Sequence, residues 1–319
     1  MDRKHATRVV AAIAAGTLVV AACGSDGGSD GGTGDTEGTT DDAGTVTVYT
    51  GRHYGIEPIF DEFTADTGIE VRFTTGNDPE LRERLVAEGA NTPADVLMTA
   101  DAANVELAAD AGVLASVDSA TLTDSIPAEL RSADNDWFAL SQRARVIIAS
   151  TERVDDPPTT YAGVGDPEWK GNICLRPSTH PYTQSLVASL IIAEGEERAT
   201  EIVQSWVDND PRYINSDTAI YKPVADGECA VAIANTYYLG RLLTEDPEFP
   251  VELVWPEQDG RGAHGNVSTA AVPKNAPSPD AALALVEWLA TDGQQAFADA
   301  NFEFPADPGV EPNEIIASW

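Results

Sequence analysis

Two adjacent tyrosines are the residues of this chain whose chemistry is most specific. Tyr237 and Tyr238 follow a short apolar run typical of a buried strand, and Arg241 comes three residues after the second phenol. The segment after them predicts a helix, so both phenols lie at its N-terminus, with Asn235 or Thr236 as the cap. The helix dipole and the Arg241 guanidinium favour the phenolate there over the phenol. Paired phenolates are an environment for a hard metal cation.

Two further tyrosines follow predicted strands in the same way. Tyr54 comes shortly after the strand 45–50, and Tyr182 comes shortly after the strand 172–176. In open α/β sheets, ligands bind beyond the carboxyl ends of the strands, which is where all of these residues are expected. Each tyrosine taken singly is better explained by packing. Four of the eight tyrosines at three strand-to-helix junctions indicate a shared site instead.

The elements that position these junctions alternate between strand and helix, which predicts a mostly parallel sheet with helices on both faces. The folded body of about 275 residues exceeds a usual single core, so two lobes are expected. The chain should cross between them near 141–148 and 267–272, and a helix pair at 282–299 should pack back on the first lobe. The first three strands are expected at 45–50, 69–74 and 94–99, with helices at 58–67, 79–88 and 102–111.

The N-terminal segment has the features of an export signal. Basic residues precede an apolar stretch too short for a comfortable membrane span, so residues 1–22 are interpreted as a lipoprotein signal peptide. The residues before Cys23 resemble a bacterial lipobox, which makes Cys23 the lipidated N-terminus of the mature protein; an ordinary secreted protein is the alternative. Residues 23–44 are rich in Gly, Asp and Thr and predict a disordered tether.

The two other cysteines, Cys174 and Cys229, each lie on a predicted strand. An even number of cysteines in an exported protein permits a disulfide, although two buried free thiols are the alternative. A bridge would close a loop of about 55 residues and stabilise the fold by roughly 4 kcal/mol.

The composition excludes some classes of function. A formal net charge of −34 makes nucleic acid a poor partner, because an acidic surface repels phosphate. Solubility or a saline habitat explains this acidity without any ligand. No Gly-x-Ser-x-Gly elbow stands between a predicted strand and a predicted helix, and no P-loop or His-Glu-x-x-His zinc helix occurs, so the sequence does not indicate an enzyme.

Five blocks of sequence resemble the ferric-ion-binding proteins that serve ABC importers, within the periplasmic binding protein superfamily. The blocks are 48–54, 93–114, 169–171, 235–241 and 262–268, and the tyrosine pair followed by arginine is the most specific of them. They are spread along the chain, so the resemblance extends over nearly the whole folded body. The resemblance implies an α/β type II fold of two lobes, each a mixed sheet flanked by helices, with the ligand cleft between them. Lobe 1 comprises 45–142 and the returning 268–319, and lobe 2 comprises 143–267.

The resemblance also implies a site for Fe(III), a hard ion that prefers anionic oxygen donors. The implied metal ligands are His53, Tyr54, Tyr182, Tyr237 and Tyr238. Arg52 and Arg241 are expected outside the coordination shell, where they offset the phenolate charge or hold a small anion such as carbonate. His180 and Asp101 remain candidates for the shell, and the sequence leaves open whether Fe(II) is also bound.

The implied protein is a monomeric, extracytoplasmic binding lipoprotein, held at the membrane by its lipid alone, that delivers iron to an ABC permease. The alternative is a binding protein for a small organic solute or an oxyanion. In that case the tyrosines of the same cleft stack on the ligand, and Arg52 and Arg241 pair with its charge.

Overall fold

The computed structural model describes residues 44–52 and 55–319. The predicted signal peptide, nearly all of the tether and Cys23 lie outside the described residues, and so do His53 and Tyr54. Among the residues described, no helix is both long and apolar enough to cross a membrane.

The strands and helices predicted from sequence are present, with ends that differ by at most three residues. The strands are β1 Thr45–Thr50, β2 Glu70–Thr75, β3 Val96–Thr99, β4 Phe138–Ser150, β5 Ile173–Leu175, β6 Arg212–Tyr213, β7 Val231–Asn235, β8 Val251–Val254, β9 His264–Ala271 and β10 Phe304–Pro305. The helices are α1 Glu57–Thr67, α2 Asp78–Glu88, α3 Ala102–Asp110, α4 Ala120–Ser125, α5 Pro181–Glu194, α6 Glu196–Asp208, α7 Asp217–Ala225, α8 Tyr237–Glu245, α9 Pro279–Ala290, α10 Gln294–Asn301 and α11 Glu314–Ala317.

The strands form a mixed sheet in the order β2-β1-β3-β9-β4-β7-β5-β6, with β8 and β10 also paired to β4. The outer pairs β1–β2, β1–β3, β5–β6 and β5–β7 are parallel. Every pair that involves β4 or β9 is antiparallel. The expectation of a mostly parallel sheet is therefore wrong at the centre, because these two long strands run against their neighbours.

The alternation of side chains along β4 separates two of the hydrophobic cores. Ile147 and Ala149 face a core that includes Trp206, whereas Val146 and Ile148 face a core on the opposite side of the sheet. A third core collects β1, the first half of β4 and the helices α9 and α10, so the C-terminal helix pair packs where the sequence predicted.

Adjacent strands hold the two cysteines within bonding distance. Cys174 lies on β5, and Cys229 comes shortly before β7, the parallel neighbour of β5. The structure joins the two by a disulfide with a Cα–Cα distance of 5.8 Å, and both residues are buried. The bridge thus ties β5 to the start of β7, the two parallel strands that lead to Tyr182 and to the tyrosine pair.

Candidate metal site

Three of the predicted tyrosines meet at one edge of the sheet. Tyr182 lies in the first turn of α5 after β5, and Tyr237 is the first residue of α8 after β7. Because β5 and β7 are parallel neighbours, both helices begin at the same edge, and the hydroxyls of Tyr182 and Tyr237 lie 3.2 Å apart. The ring centroids of Tyr237 and Tyr238 are 4.1 Å apart. Three phenols from two helix starts therefore form one group.

Arginines lie over the faces of these rings. The guanidinium carbon of Arg241 is 5.5 Å from the ring centroid of Tyr237 and 5.9 Å from that of Tyr238. Arg145, on β4, lies 5.6 Å from the ring centroid of Tyr182. These distances allow cation–π attraction and place positive charge where phenolates would form.

The protonation of Tyr237 differs from the sequence-based expectation. Tyr237 is 2% exposed, and this burial raises the pKa of its phenol, with the neighbouring Tyr238 adding to the effect and Arg143 opposing it. For Tyr237 in the metal-free protein, the prediction that its surroundings favour a phenolate is wrong, because the cost of burying a charge is the largest effect on its pKa. Thr236 takes the capping position without a side-chain capping bond.

A wall of buried polar side chains, which the sequence analysis missed, faces the tyrosines. Arg143 and Arg145 project from the same face of β4, and together with Tyr182 they line a small cavity. The remaining lining residues are Ser185, Asn235, His264 and Asn266. The detectable signal was the alternation of Ser141, Arg143 and Arg145 within an otherwise apolar strand.

Asp217 neutralises part of this positive charge. It is 1% exposed, forms an ion pair with Arg145, and lies 3.6 Å from Nε of Arg176. The same carboxylate accepts a hydrogen bond from the backbone N–H of Asn235 at 3.3 Å, and the Tyr221 hydroxyl donates to the Asn235 carbonyl at 2.9 Å. These bonds fix the end of β7, the strand that leads into the tyrosine pair.

Arg52 is buried beside the phenols rather than open to an added ligand. Its guanidinium forms an ion pair with Glu303, and its Nε donates to Ser268 Oγ at 2.9 Å. Burial lowers the pKa of Arg52, but the Glu303 carboxylate and, to a smaller extent, negative charge on Tyr237 or Tyr182 raise it, so the pKa is raised overall. Its position thus suits charge compensation better than the capture of an anion.

The close approach of Gly51 to Asp78 positions the chain directly after β1. The junction that begins there leads to His53 and Tyr54, which lie outside the described residues. A Cβ on Gly51 would lie 1.8 Å from Asp78 Oδ1, so only glycine allows this approach. Asp78 is buried, its Oδ2 accepts the Ala100 N–H at 2.7 Å, and burial raises its pKa to about 6. The sequence analysis did not single out Asp78.

The two open candidates for the shell have local roles. Asp101 caps α3 by accepting the Asn104 N–H at 2.8 Å, and its other oxygen accepts the Asn104 side chain at 2.9 Å. His180 caps α5, with Nδ1 accepting the Tyr182 N–H at 3.2 Å. Burial lowers the pKa of His180 to about 4, so it is neutral at pH 7. Within the described ranges, no cluster of three or more His, Cys, Asp or Glu residues suits a metal.

Comparison with known proteins gives a consistent result. The sequence pattern of the bacterial extracellular solute-binding protein family matches residues 59–319. Iron uptake protein A1 of Synechocystis is 41% identical over 284 residues, which cover 86% of this chain and 79% of that protein. The major ferric iron-binding protein of Neisseria meningitidis is 27% identical over 275 residues, covering 83% and 82% of the two chains.

Solved structures agree with these sequence relatives. A Trichodesmium protein in complex with iron and citrate superimposes with a TM-score of 0.79 at 38% identity, covering 86% of this chain and 90% of that one. The ferric binding protein from Campylobacter jejuni gives a TM-score of 0.79 at 33% identity with the same coverage. The predicted fold class, a mixed α/β type II periplasmic binding protein, is confirmed, and so is the predicted resemblance to ferric-binding proteins.

Proposed function

The chain belongs to the bacterial extracellular solute-binding protein family, and on that premise we propose that it captures Fe(III) and delivers it to an ABC permease. The observation that carries the proposal is the group of three phenols at the starts of α5 and α8, with hydroxyls of Tyr182 and Tyr237 3.2 Å apart. Fe(III) is hard and highly charged and prefers such oxygen donors. The relatives described above, an iron uptake protein and a ferric iron-binding protein, support the same cargo.

The proposed ligands come from both sides of a cleft. Tyr182, Tyr237 and Tyr238 belong to 143–267, and His53 and Tyr54 follow Arg52 in the first lobe. The position of Arg52 supports this arrangement, because its charge is close enough to the phenols of Tyr182 and Tyr237 to be influenced by both. Separate hydrophobic cores in 143–267 and around β1, α9 and α10 support the division into two lobes. A metal that contacts both lobes favours the closed state.

Binding is proposed to exchange protons for the metal. The buried Tyr237 holds its proton in the metal-free protein, because burial raises its pKa. Four phenolates around Fe(III) leave one net negative charge, which Arg52, Arg145 and Arg241 offset from outside the shell. The affinity should therefore fall as the pH falls, since protons compete with iron for the phenolate oxygens.

A small anion, when present, is better placed beside β4 than beside Arg52 or Arg241. Arg145 is 4% exposed, and its Nε has no hydrogen-bond partner among the described residues. Asn235 also lines the small cavity, and its Nδ2 has no hydrogen-bond partner among the described residues. These two N–H groups suit a single oxygen of carbonate or of a carboxylate, and the Trichodesmium structure contains citrate.

Attachment to the membrane is proposed to occur through lipid on Cys23, with 23–44 as the tether and a monomeric binding domain beyond it. The family is extracellular by description, in agreement with an exported protein. Expression of Cys23→Ala in a bacterial host tests the anchor. The variant should appear in the soluble extracytoplasmic fraction, and retention in the membrane fraction would contradict the proposal.

The test of the iron function is a titration of the metal-stripped protein with ferric citrate. Phenolate coordination predicts a visible charge-transfer band that saturates at one iron per chain. Inorganic phosphate, citrate alone and fructose 6-phosphate serve as competitors for the alternative, an organic solute or oxyanion held by the Arg143 and Arg145 wall. A protein that stays colourless and binds one of these anions without iron has the alternative function.

A further inference from the structure

Three consecutive residues join the two halves of the proposed ligand set. Asn301 is the last residue of α10, Phe302 caps that helix, and Glu303 precedes β10. We propose that these residues, called here the bracing segment, position the junction after β1 and helix α8 relative to each other and so set the affinity for iron. The inference rests on the proposed iron function and goes beyond it, because none of the three is a ligand.

The first contact of the bracing segment is with Arg52, the last described residue before the proposed ligands of the first junction. Glu303 is fully buried and forms an ion pair with Arg52, which is itself 3% exposed. Asn301 Oδ1 accepts a hydrogen bond from Arg52 at 3.3 Å. Glu303 also accepts hydrogen bonds from Ser141 on β4 and Ser268 on β9. A buried charge pair resists separation, because either partner alone would be an uncompensated buried charge.

The second contact is with α8. Phe302 packs so closely on Gly240 that a Cβ there would lie 2.8 Å from the ring Cδ1 and 3.0 Å from the Phe302 Cβ. Gly240 comes between Tyr238 and Arg241 in the sequence, so the ring bears on the turn of α8 that follows the phenols. A longer side chain at position 240 would push α8 and the Phe302 ring apart.

The backbone of Phe302 shows that this placement has a cost. Its φ of 52° and ψ of 41° lie in the left-handed region, where a residue with a side chain is less stable by about 1–2 kcal/mol. Glycine or asparagine is the usual residue at such a helix end. A phenylalanine persists there because its ring is fixed by contacts, and Gly240 supplies one of them.

The next residue provides a matched control. Phe304 belongs to β10, pairs with Gln142 on β4, and has its ring centroid 6.1 Å from that of Trp255. These contacts are with strand β4 and with Trp255 rather than with Arg52 or Gly240. Phe304→Ala thus removes a similar aromatic volume from the adjacent position without touching the proposed brace.

The decisive experiment compares iron dissociation into a competing chelator and the position of the charge-transfer band in five variants of the mature protein. They are Gly240→Ala, Phe302→Ala, Gly240→Ala with Phe302→Ala, Glu303→Gln and Phe304→Ala. Gly240→Ala and Glu303→Gln should each weaken iron binding by about 10- to 100-fold, as for other residues that orient metal ligands. The double variant should bind iron more tightly than Gly240→Ala alone, because removal of the ring makes room for the new methyl group.

Several results would overturn the brace while the iron function stands. One such result is that wild-type protein binds iron and that Gly240→Ala and Glu303→Gln bind it with the same affinity and the same charge-transfer band. Another is that the effects of Gly240→Ala and Phe302→Ala on iron affinity simply add in the double variant. An equal loss in Phe304→Ala would show that the segment only stabilises the fold. If Glu303→Gln fails to fold, the comparison of Gly240→Ala with the double variant tests the proposal on its own. Wild-type protein that binds no iron would overturn the iron function and this inference with it.

Discussion

Asp217 and Glu303 are both fully buried carboxylates that neutralise arginines near the phenols, yet they connect different parts of the chain. Asp217 begins α7 and binds Arg145 and the end of β7, all within 143–267. Glu303 binds Arg52, which lies 251 residues earlier. The end of β7 is therefore held by its own part of the chain, whereas the junction after β1 depends on the C-terminal segment.

The largest expected effect comes from breaking the local pair. Asp217→Asn removes the charge opposite Arg145 and Arg176 and should lower the free energy of unfolding by about 3–5 kcal/mol, because a buried arginine is left without its partner. Urea unfolding at pH 7 measures the loss. Asp210→Asn, at an exposed pair with Lys170, is the control and should change the free energy by less than about 1 kcal/mol. Equal values for the two variants would show that Asp217 does not hold the site.

Removal of one phenol tests the role of the tyrosine pair directly. Tyr238→Phe keeps the ring and should weaken Fe(III) binding by more than about 100-fold, since even partners outside a coordination shell cost about 10- to 100-fold. Chelator competition measures the affinity. Tyr213→Phe is a suitable control, because Tyr213 is 52% exposed on β6. Tyr161 is a poorer control, since its hydroxyl accepts the His264 N–H at 2.9 Å beside the cavity. Similar affinities in both variants would mean that the pair serves packing only.

The acid side of the stability profile should depend on His264. Burial lowers the pKa of His264 to about 4 from an ordinary value near 6.5, so the folded state binds fewer protons there than the unfolded state. Its contribution to stability is complete above pH 6.5 and is lost as the pH falls towards 4, by about 3 kcal/mol in total. His264→Gln, which can still bond to Ser185, should show a correspondingly smaller loss between pH 7 and 4.5 in urea unfolding. Parallel profiles for the two proteins would contradict this assignment.

Asp78, beside the first junction, should act with the opposite sign and a slightly smaller magnitude. Burial raises its pKa to about 6, so its contribution to stability is complete below about pH 4 and is lost as the pH rises through 6. Asp78→Asn removes the buried charge and can still accept the Ala100 N–H. It should therefore raise the free energy of unfolding at pH 7 by about 2–3 kcal/mol and have little effect at pH 4. A destabilised variant at pH 7 would show that Arg52 and Arg143 need this carboxylate.

The success and failure of the sequence-based predictions have different physical causes. The proximity of Tyr182, Tyr237 and Tyr238 was predicted because strand and helix patterns are local, and parallel strands bring their carboxyl ends together. Arg143, Arg145 and the bracing segment were missed, because their partners are distant in sequence. The protonation of Tyr237 was predicted in the wrong direction, because local charges are visible in a sequence and the extent of burial is not.

The sequence by itself determined the α/β class, the junctions that carry the tyrosines and the kind of metal that phenols suit, because periodicity and residue chemistry are local properties. The tertiary structure decided which buried charges face the phenols. Arg52 is neutralised by Glu303, Arg145 by Asp217, and Gly240 is covered by Phe302. Such contacts form only when the chain folds. The two charge pairs depend on it most, since a buried charge is stable only beside a partner that the fold supplies.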